Sequence, residues 1–251
     1  KAEVDLRKKS DQEELCLRTK MMFNFLSAAK ENVSFAALTK RLSAQKSTSS
    51  LFKISLSLAK SKLYADSIRQ KIKVAVVFAV YNVCPTRMSS QKENPDGEDC
   101  LRVKIQQLKD LFGDNPNIDW QMIIIDDGSR DDCAGKFAEA ILMDEYAELY
   151  YSGKVQVKYL SRAFRANQNQ EEIKQDSLLA SMYDTAGRKL SRKGGAIIFG
   201  MQRAVEQGAD YVIFTDSDIS SHLGLCGEAI RYLKEEGYGV AIGSRSMPDS
   251  L

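Results

Sequence analysis

Val74-Ala75-Val76-Val77-Phe78-Ala79-Val80 is an unbroken apolar run, rich in β-branched residues, that stops at Tyr81-Asn82. A run without polar alternation reads as a strand covered on both faces, the condition of a central strand in a parallel sheet. Downstream, Leu101, Ile105, Leu108 and Phe112 recur at helical spacing, and Gly113 and Pro116 close that helix. A strand over Gln121–Ile125 follows and runs into Asp126-Asp127-Gly128-Ser129. The pattern repeats with a helix carrying Phe137, Ile141, Leu142 and Leu149, then a strand over 155–160. A helix over 194–207 ends at Gly208, ahead of the strand Tyr211-Val212-Ile213-Phe214. A last helix over about 223–236 and a strand over 239–242 complete the chain, while 161–193 is polar and helix-like. Strands alternating with helices predict an α/β fold with a mainly parallel sheet joined by crossovers.

Upstream of Lys73 the sequence has another style. Residues 5–42 read as helical, with Leu15, Met22, Phe25, Leu26 and Ala29 in register. A Ser/Thr-rich break over 43–50 separates them from a second helical stretch, 51 to about 70. Residues 1–72 carry 15 Lys/Arg against 7 Asp/Glu, a net of +8, and the remainder carries 21 against 27, a net of −6. The expected organisation is a basic helical arm over 1–71 and an α/β domain over 72–251. A basic arm of this kind suits a solvated face, an acidic partner or anionic lipid. The chain opens on Lys and stops just after an expected strand, so the second domain is expected to be cut short at its C-terminus.

Composition narrows the class. The 251 residues are 43% hydrophobic and 28% charged, ordinary values for a globular protein. The five cysteines are scattered, odd in number and without Cys-x-x-Cys spacing, which disfavours a disulfide framework or a zinc site and favours a cytoplasmic location. No apolar run reaches membrane-spanning length, and no Walker loop or set of base-stacking aromatics beside basic residues points to nucleic acid.

In parallel sheets ligands sit beyond the carboxyl ends of the strands. Three such ends are polar here: Tyr81-Asn82, Asp126-Asp127-Gly128-Ser129 and Asp216-Ser217-Asp218. Residues i and i+2 at a strand end point the same way, so Asp216 and Asp218 are candidates to face one cation. Paired carboxylates with open positions suit Mg²⁺ or Mn²⁺. Lys193-Gly194-Gly195 opens a helix, where free N–H groups and a cation suit phosphate. Arg245, in Gly243-Ser244-Arg245, offers a planar fork matched to phosphate oxygens.

Taken in order, Val77-Phe78-Ala79-Val80-Tyr81-Asn82, Ile124-Ile125-Asp126-Asp127-Gly128-Ser129, Lys193-Gly194-Gly195-Ala196, Phe214-Thr215-Asp216-Ser217-Asp218 and Ile242-Gly243-Ser244-Arg245 resemble family 2 glycosyltransferases with the GT-A fold. The style is closest to dolichol-phosphate mannose synthase and other polyprenyl-phosphate glycosyltransferases, over roughly residues 72–247. The resemblance implies a UDP- or GDP-sugar donor whose base and ribose are held by Tyr81 and Asp127, with Ala79 and Val80 lining the pocket. It implies that Asp216 and Asp218 hold Mg²⁺ or Mn²⁺ against the donor diphosphate, and that Lys193, Gly194 and Arg245 meet phosphate. The acceptor would be a lipid phosphate or a glycan. A lipid acceptor would bring the protein to the cytoplasmic face of a membrane, with the basic arm making peripheral contact.

The chain departs from the family in three respects. Ser220 stands where a Gln metal ligand is common, leaving Ser220 or His222, four residues past Asp218, as the candidate further ligand; 161–193 is longer than its counterpart; and the Glu-Asp motif that supplies a general base in many inverting members is not seen. A phosphate acceptor is already anionic and attacks without a base. The rival readings are a sugar-1-phosphate nucleotidyltransferase and a non-catalytic nucleotide-binding or interaction module. The loop Tyr81-Asn82-Val83-Cys84-Pro85 lacks the Gly-rich basic signature of the former.

Overall fold

A computed structural model describes residue 5 and residues 7–30, 50–83, 87–162 and 193–243. These form two compact units.

The first unit is helical and combines the N-terminal arm with residues 106–117 and with the chain from His222 onward. Helices α1 (Lys9–Lys30) and α2 (Ser50–Ser67) pack on each other through Leu26, Leu56 and Ala59, with Met22, Phe23, Phe52 and Leu63 around them. Leu15 and Leu26 are buried as their spacing predicts, whereas Phe25 points outward and is 54% exposed. The buried amide of Asn115 donates to the carbonyls of Ala65 and Ile68 at 2.7 and 3.0 Å, satisfying acceptors that the end of α2 leaves open. The sequence boundary at 71/72 therefore does not by itself delimit this unit, because short segments from later in the chain complete it. The expected helix over 31–42 and the break over 43–49 lie outside the described residues.

The second unit is built on strands β1 (Ile72–Val80), β2 (Ile118–Asp126), β3 (Val155–Tyr159) and β4 (Tyr211–Phe214). All pairings are parallel and the strand order is β3-β2-β1-β4. In register, Val80 lies opposite Asp126, and Val77 opposite Phe214. Helix α3 (Cys100–Phe112) follows β1; its first half belongs to this unit and its second half to the helical one. Helices α4 (Cys133–Glu145) and α5 (Ala147–Tyr151) connect β2 to β3, and α6 (Lys193–Glu206) leads into β4. The α/β expectation holds: the described residues form a four-stranded, all-parallel sheet flanked by helices, compatible with a Rossmann-like arrangement.

Burial explains why this pattern is stable. Residues 74 through 78 of β1 and 122 through 125 of β2 have no exposed surface, so both faces of the central strands are covered. One face meets α6: Ala75, Val77, Ala79, Ile123 and Ile125 pack against Ala196, Phe199 and Ala204. Gly200 permits this close approach, since a Cβ there would collide with Val77 and lie 2.9 Å from Ile125 Cγ1. Buried apolar surface of this kind contributes roughly 25 cal/mol per Å² and dominates the stability of the unit.

The expected strand at Tyr211–Phe214 forms, and the one expected over 239–242 needs correction. Tyr211–Phe214 is only partly buried, because β4 has β1 as its single neighbour among the described strands. Gly239–Ile242 forms no ladder, and Val240 and Ile242 are 74% and 87% exposed. Strand propensity needs a partner to become a strand. Helix α7 (Cys226–Glu235), preceded by a 3₁₀ turn at Leu223–Leu225, matches the last predicted helix and packs on α2. Among the described residues no helix is long and apolar enough to cross a membrane.

Candidate functional site

The chain runs from β1 out to β2 and β3, then returns to the other side of β1 for β4. That reversal makes β1/β4 the topological switch point of the sheet, and open α/β sheets bind ligands beyond the carboxyl ends of the strands at such a point. The first turn of α6 lies at the same edge, because Lys193 pairs with Asp216 just past β4. At the opposite end of α6, Lys73 at the start of β1 donates from its amine to Gln207 O at 2.9 Å and from its N–H to Asp210 at 2.7 Å. A depression lined by Lys73, Asp119, Gln121 and Lys154 lies at that opposite, amino edge and is separate from the polar strand ends.

The loops after β1 and β2 are stitched together by main-chain and side-chain hydrogen bonds. Asp127 N donates to Val80 O at 2.9 Å, Asn82 N to Ser129 Oγ at 2.9 Å, and Arg130 N to Asn82 Oδ1 at 2.8 Å. Asn82 adopts φ 49°, which a short polar side chain tolerates, and Gly128 turns the chain at φ 86°. Beneath them the fully buried Asp126 accepts from Gly128 N, Ser129 N and Gly135 N at 3.0, 2.7 and 2.7 Å. The two neighbouring aspartates thus differ in environment: Asp126 organises the turn, and Asp127 sits one residue further, 6% exposed. Tyr81 is 58% exposed at the end of β1. Ala79 and Val80 are buried, Ala79 within the α6-facing core.

Past β4, Thr215 N extends the ladder by donating to Val77 O at 3.1 Å, and the buried Ile219 anchors the following turn. Asp216 and Asp218 leave this turn half-exposed and meet different cations. Asp216 is paired with Lys193, and Asp218 lies 3.5 Å from Arg87. Ser220 donates to Asp218 through its hydroxyl at 2.6 Å and its N–H at 3.1 Å. Burial pushes the Asp218 carboxyl up, but Ser220, then Arg87 and Lys104, outweigh it and hold the group below its ordinary value. Lys104 is itself fully buried on α3, its amine 5.8 Å from the centre of the Phe78 ring.

Of the other expected residues, Lys193 and Gly194 are exposed, with open space where a Cβ on Gly194 would stand, whereas Gly195 and Ala196 of the same turn are buried. His222 Nδ1 accepts from Gly224 N at 2.9 Å and caps the 3₁₀ turn, a structural use of one ring nitrogen. Arg245, with Ser244, lies outside the described residues, as do Cys84, Pro85 and Thr86. Among the described residues, no group of three or more His, Cys, Asp or Glu side chains converges on one point. The oxygen-only donors Asp216, Asp218 and Ser220 fit a hard cation that takes most of its ligands from water or phosphate, and do not fit a closed zinc site.

Sequence reasoning did not single out Arg87 or Lys104. For Lys104 the signal was present: a lysine inside the apolar stripe Leu101, Ile105, Leu108, all buried with it. Arg87 is one cation in a polar loop, with no periodicity to mark it. No family model, curated protein or solved structure matches the chain.

Proposed function

We propose that the chain is a metal-dependent, inverting glycosyltransferase of GT-A fold that moves a sugar from a nucleoside-diphosphate donor to a lipid phosphate or glycan. The observation that carries the reading is the coincidence of the Asp216-Ser217-Asp218 turn with the topological reversal between β1 and β4. Tyr81 offers an exposed ring for the base, and Asp127 a carboxylate for a ribose hydroxyl or base N–H. The N-terminus of α6, exposed at Lys193 and Gly194, offers N–H groups and a cation to phosphate. Asp216, Asp218 and Ser220 are the residues that would hold Mg²⁺ or Mn²⁺, which when bound neutralises charge on the leaving diphosphate. The protein's part is to orient the donor so that the acceptor oxygen attacks the anomeric carbon in line as the bond to the diphosphate breaks. Among the described residues no side chain at the site stands out as a nucleophile for a covalent intermediate, which favours inversion.

A second reading, a non-catalytic nucleotide-binding module, is favoured by one observation: both carboxylates are already neutralised by protein cations. Turnover separates the two. UDP- and GDP-sugars incubated with Mg²⁺ or Mn²⁺ and a polyprenyl phosphate or an oligosaccharide should release nucleoside diphosphate, with release lost in EDTA and in Asp218→Ala. Donor binding without release would support the module.

A further inference from the structure

Each carboxylate of the pair holds a cation that the protein itself supplies. Lys193 comes from the first turn of α6, and Arg87 from the loop between β1 and α3. Both pairs are open to solvent, with side chains 57% and 40% exposed for Lys193 and Asp216, and 40% and 31% for Arg87 and Asp218. Exposed ion pairs are weak and screened by solvent, so these hold the carboxylates without locking them. Backbone hydrogen bonds and a helix start carry the two cations. Arg87 N donates to Val83 O, its carbonyl accepts from Cys100 N, both at 3.0 Å, and Lys193 begins a regular helix. Lys104, by contrast, is buried on the helix face and cannot swing to a ligand.

We propose that Arg87 and Lys193 are a displaceable clamp: they hold Asp218 and Asp216 in the metal-free protein and turn to the donor's diphosphate when a divalent cation takes the carboxylates. The inference rests on the glycosyltransferase reading of the site and assigns Arg87 a phosphate-binding role. Charge balance supplies the reason. Two carboxylates with two cations are neutral; a divalent ion on the carboxylates displaces two positive charges, which a diphosphate then satisfies. Metal alone is therefore opposed by the clamp, and metal with nucleotide is favoured by it. The two ligands are coupled, each raising the other's affinity by the same factor.

The test is direct Mn²⁺ binding to the full chain, with free Mn²⁺ followed by electron paramagnetic resonance. Wild type is compared with Arg87→Gln, Lys193→Gln, the double variant and Asp218→Ala, each with Mn²⁺ alone and with added UDP or GDP. Arg130→Gln, an exposed cation on the same edge whose ion-pair partner is Asp131, controls for a change in overall charge. Arg87→Gln and Lys193→Gln should each bind Mn²⁺ alone up to about fivefold tighter. In the same variants the gain in Mn²⁺ affinity brought by UDP or GDP should shrink, while Arg130→Gln behaves as wild type. Unchanged or weaker Mn²⁺ binding in the clamp variants, with binding lost in Asp218→Ala, overturns the clamp and leaves the metal site standing. No Mn²⁺ binding to any form, with or without nucleotide, overturns both.

Discussion

The carboxylate of Asp126 accepts the N–H of Gly135 at 2.7 Å, tying the end of β2 to the first turn of α4. Its other oxygen accepts from Gly128 and Ser129, so one buried side chain sets the turn that presents Asp127. Helix starts leave N–H groups without intrahelical partners, and a buried anion is well suited to them.

Asp126→Asn keeps one acceptor oxygen and turns an NH₂ group toward a donor. It should cost about 3 kcal/mol, the range for hydrogen bonds to a charged acceptor plus one buried group left unsatisfied. That corresponds to a drop of roughly 6–12 °C in melting temperature for a chain of this size. Asp127→Asn should lose nucleotide binding with a smaller drop. Thermal melts of both variants check this, and equal losses would contradict the division of labour.

Arg102 clamps the β1–α3 loop to α4. Its guanidinium reaches Glu145 at 2.7 and 2.5 Å, Asp99 at 2.8 Å and Met88 O at 3.4 Å. The hydrogen bonds from Arg102 hold the Glu145 carboxyl below its ordinary value of 4.5, against the smaller upward push of burial. A depressed carboxyl stabilises the fold above the unfolded value and loses that contribution as pH falls through the folded one. Glu145→Gln should therefore be less stable than wild type at pH 7, with the gap closing below about pH 4.5. Glu145 is 38% exposed, so solvent screening limits the difference at pH 7 to about 1 kcal/mol. Urea midpoints measured from pH 7 down to pH 4 check it; a gap that widens as pH falls would contradict the assignment.

The strands that were legible in the sequence are those whose environment leaves no ambiguity. Val74–Val80 and Met122–Ile125 are apolar without interruption because both faces are covered, and burial writes itself directly into composition. The same composition at Gly239–Ile242 produced no strand, since pairing depends on a neighbour that no local pattern encodes. The polar strand ends that make up the proposed site were legible, because Tyr81, Asp127, Asp216 and Asp218 follow directly on apolar runs. The partners of the two carboxylates were not, because Arg87 and Lys193 reach them through tertiary structure from distant segments. Likewise, nothing local links Asn115 or Gly227 to α2. Asn115 caps the end of α2, and Gly227 fits against Ser61 so closely that a Cβ would lie 2.7 Å from its hydroxyl.

The central claim is that the polar carboxyl ends of β1, β2 and β4 bind a nucleoside diphosphate together with a divalent ion. It is tested most directly by thermal-shift measurements with UDP, GDP, CDP and ADP, each with Mn²⁺, Mg²⁺ or EDTA. A ligand at a hundredfold excess over Kd adds about 2.7 kcal/mol of stability. The account predicts a metal-dependent rise in melting temperature with one base in preference to the others, abolished by Asp218→Ala. No rise with any nucleotide, or a rise that EDTA and Asp218→Ala leave intact, would contradict it.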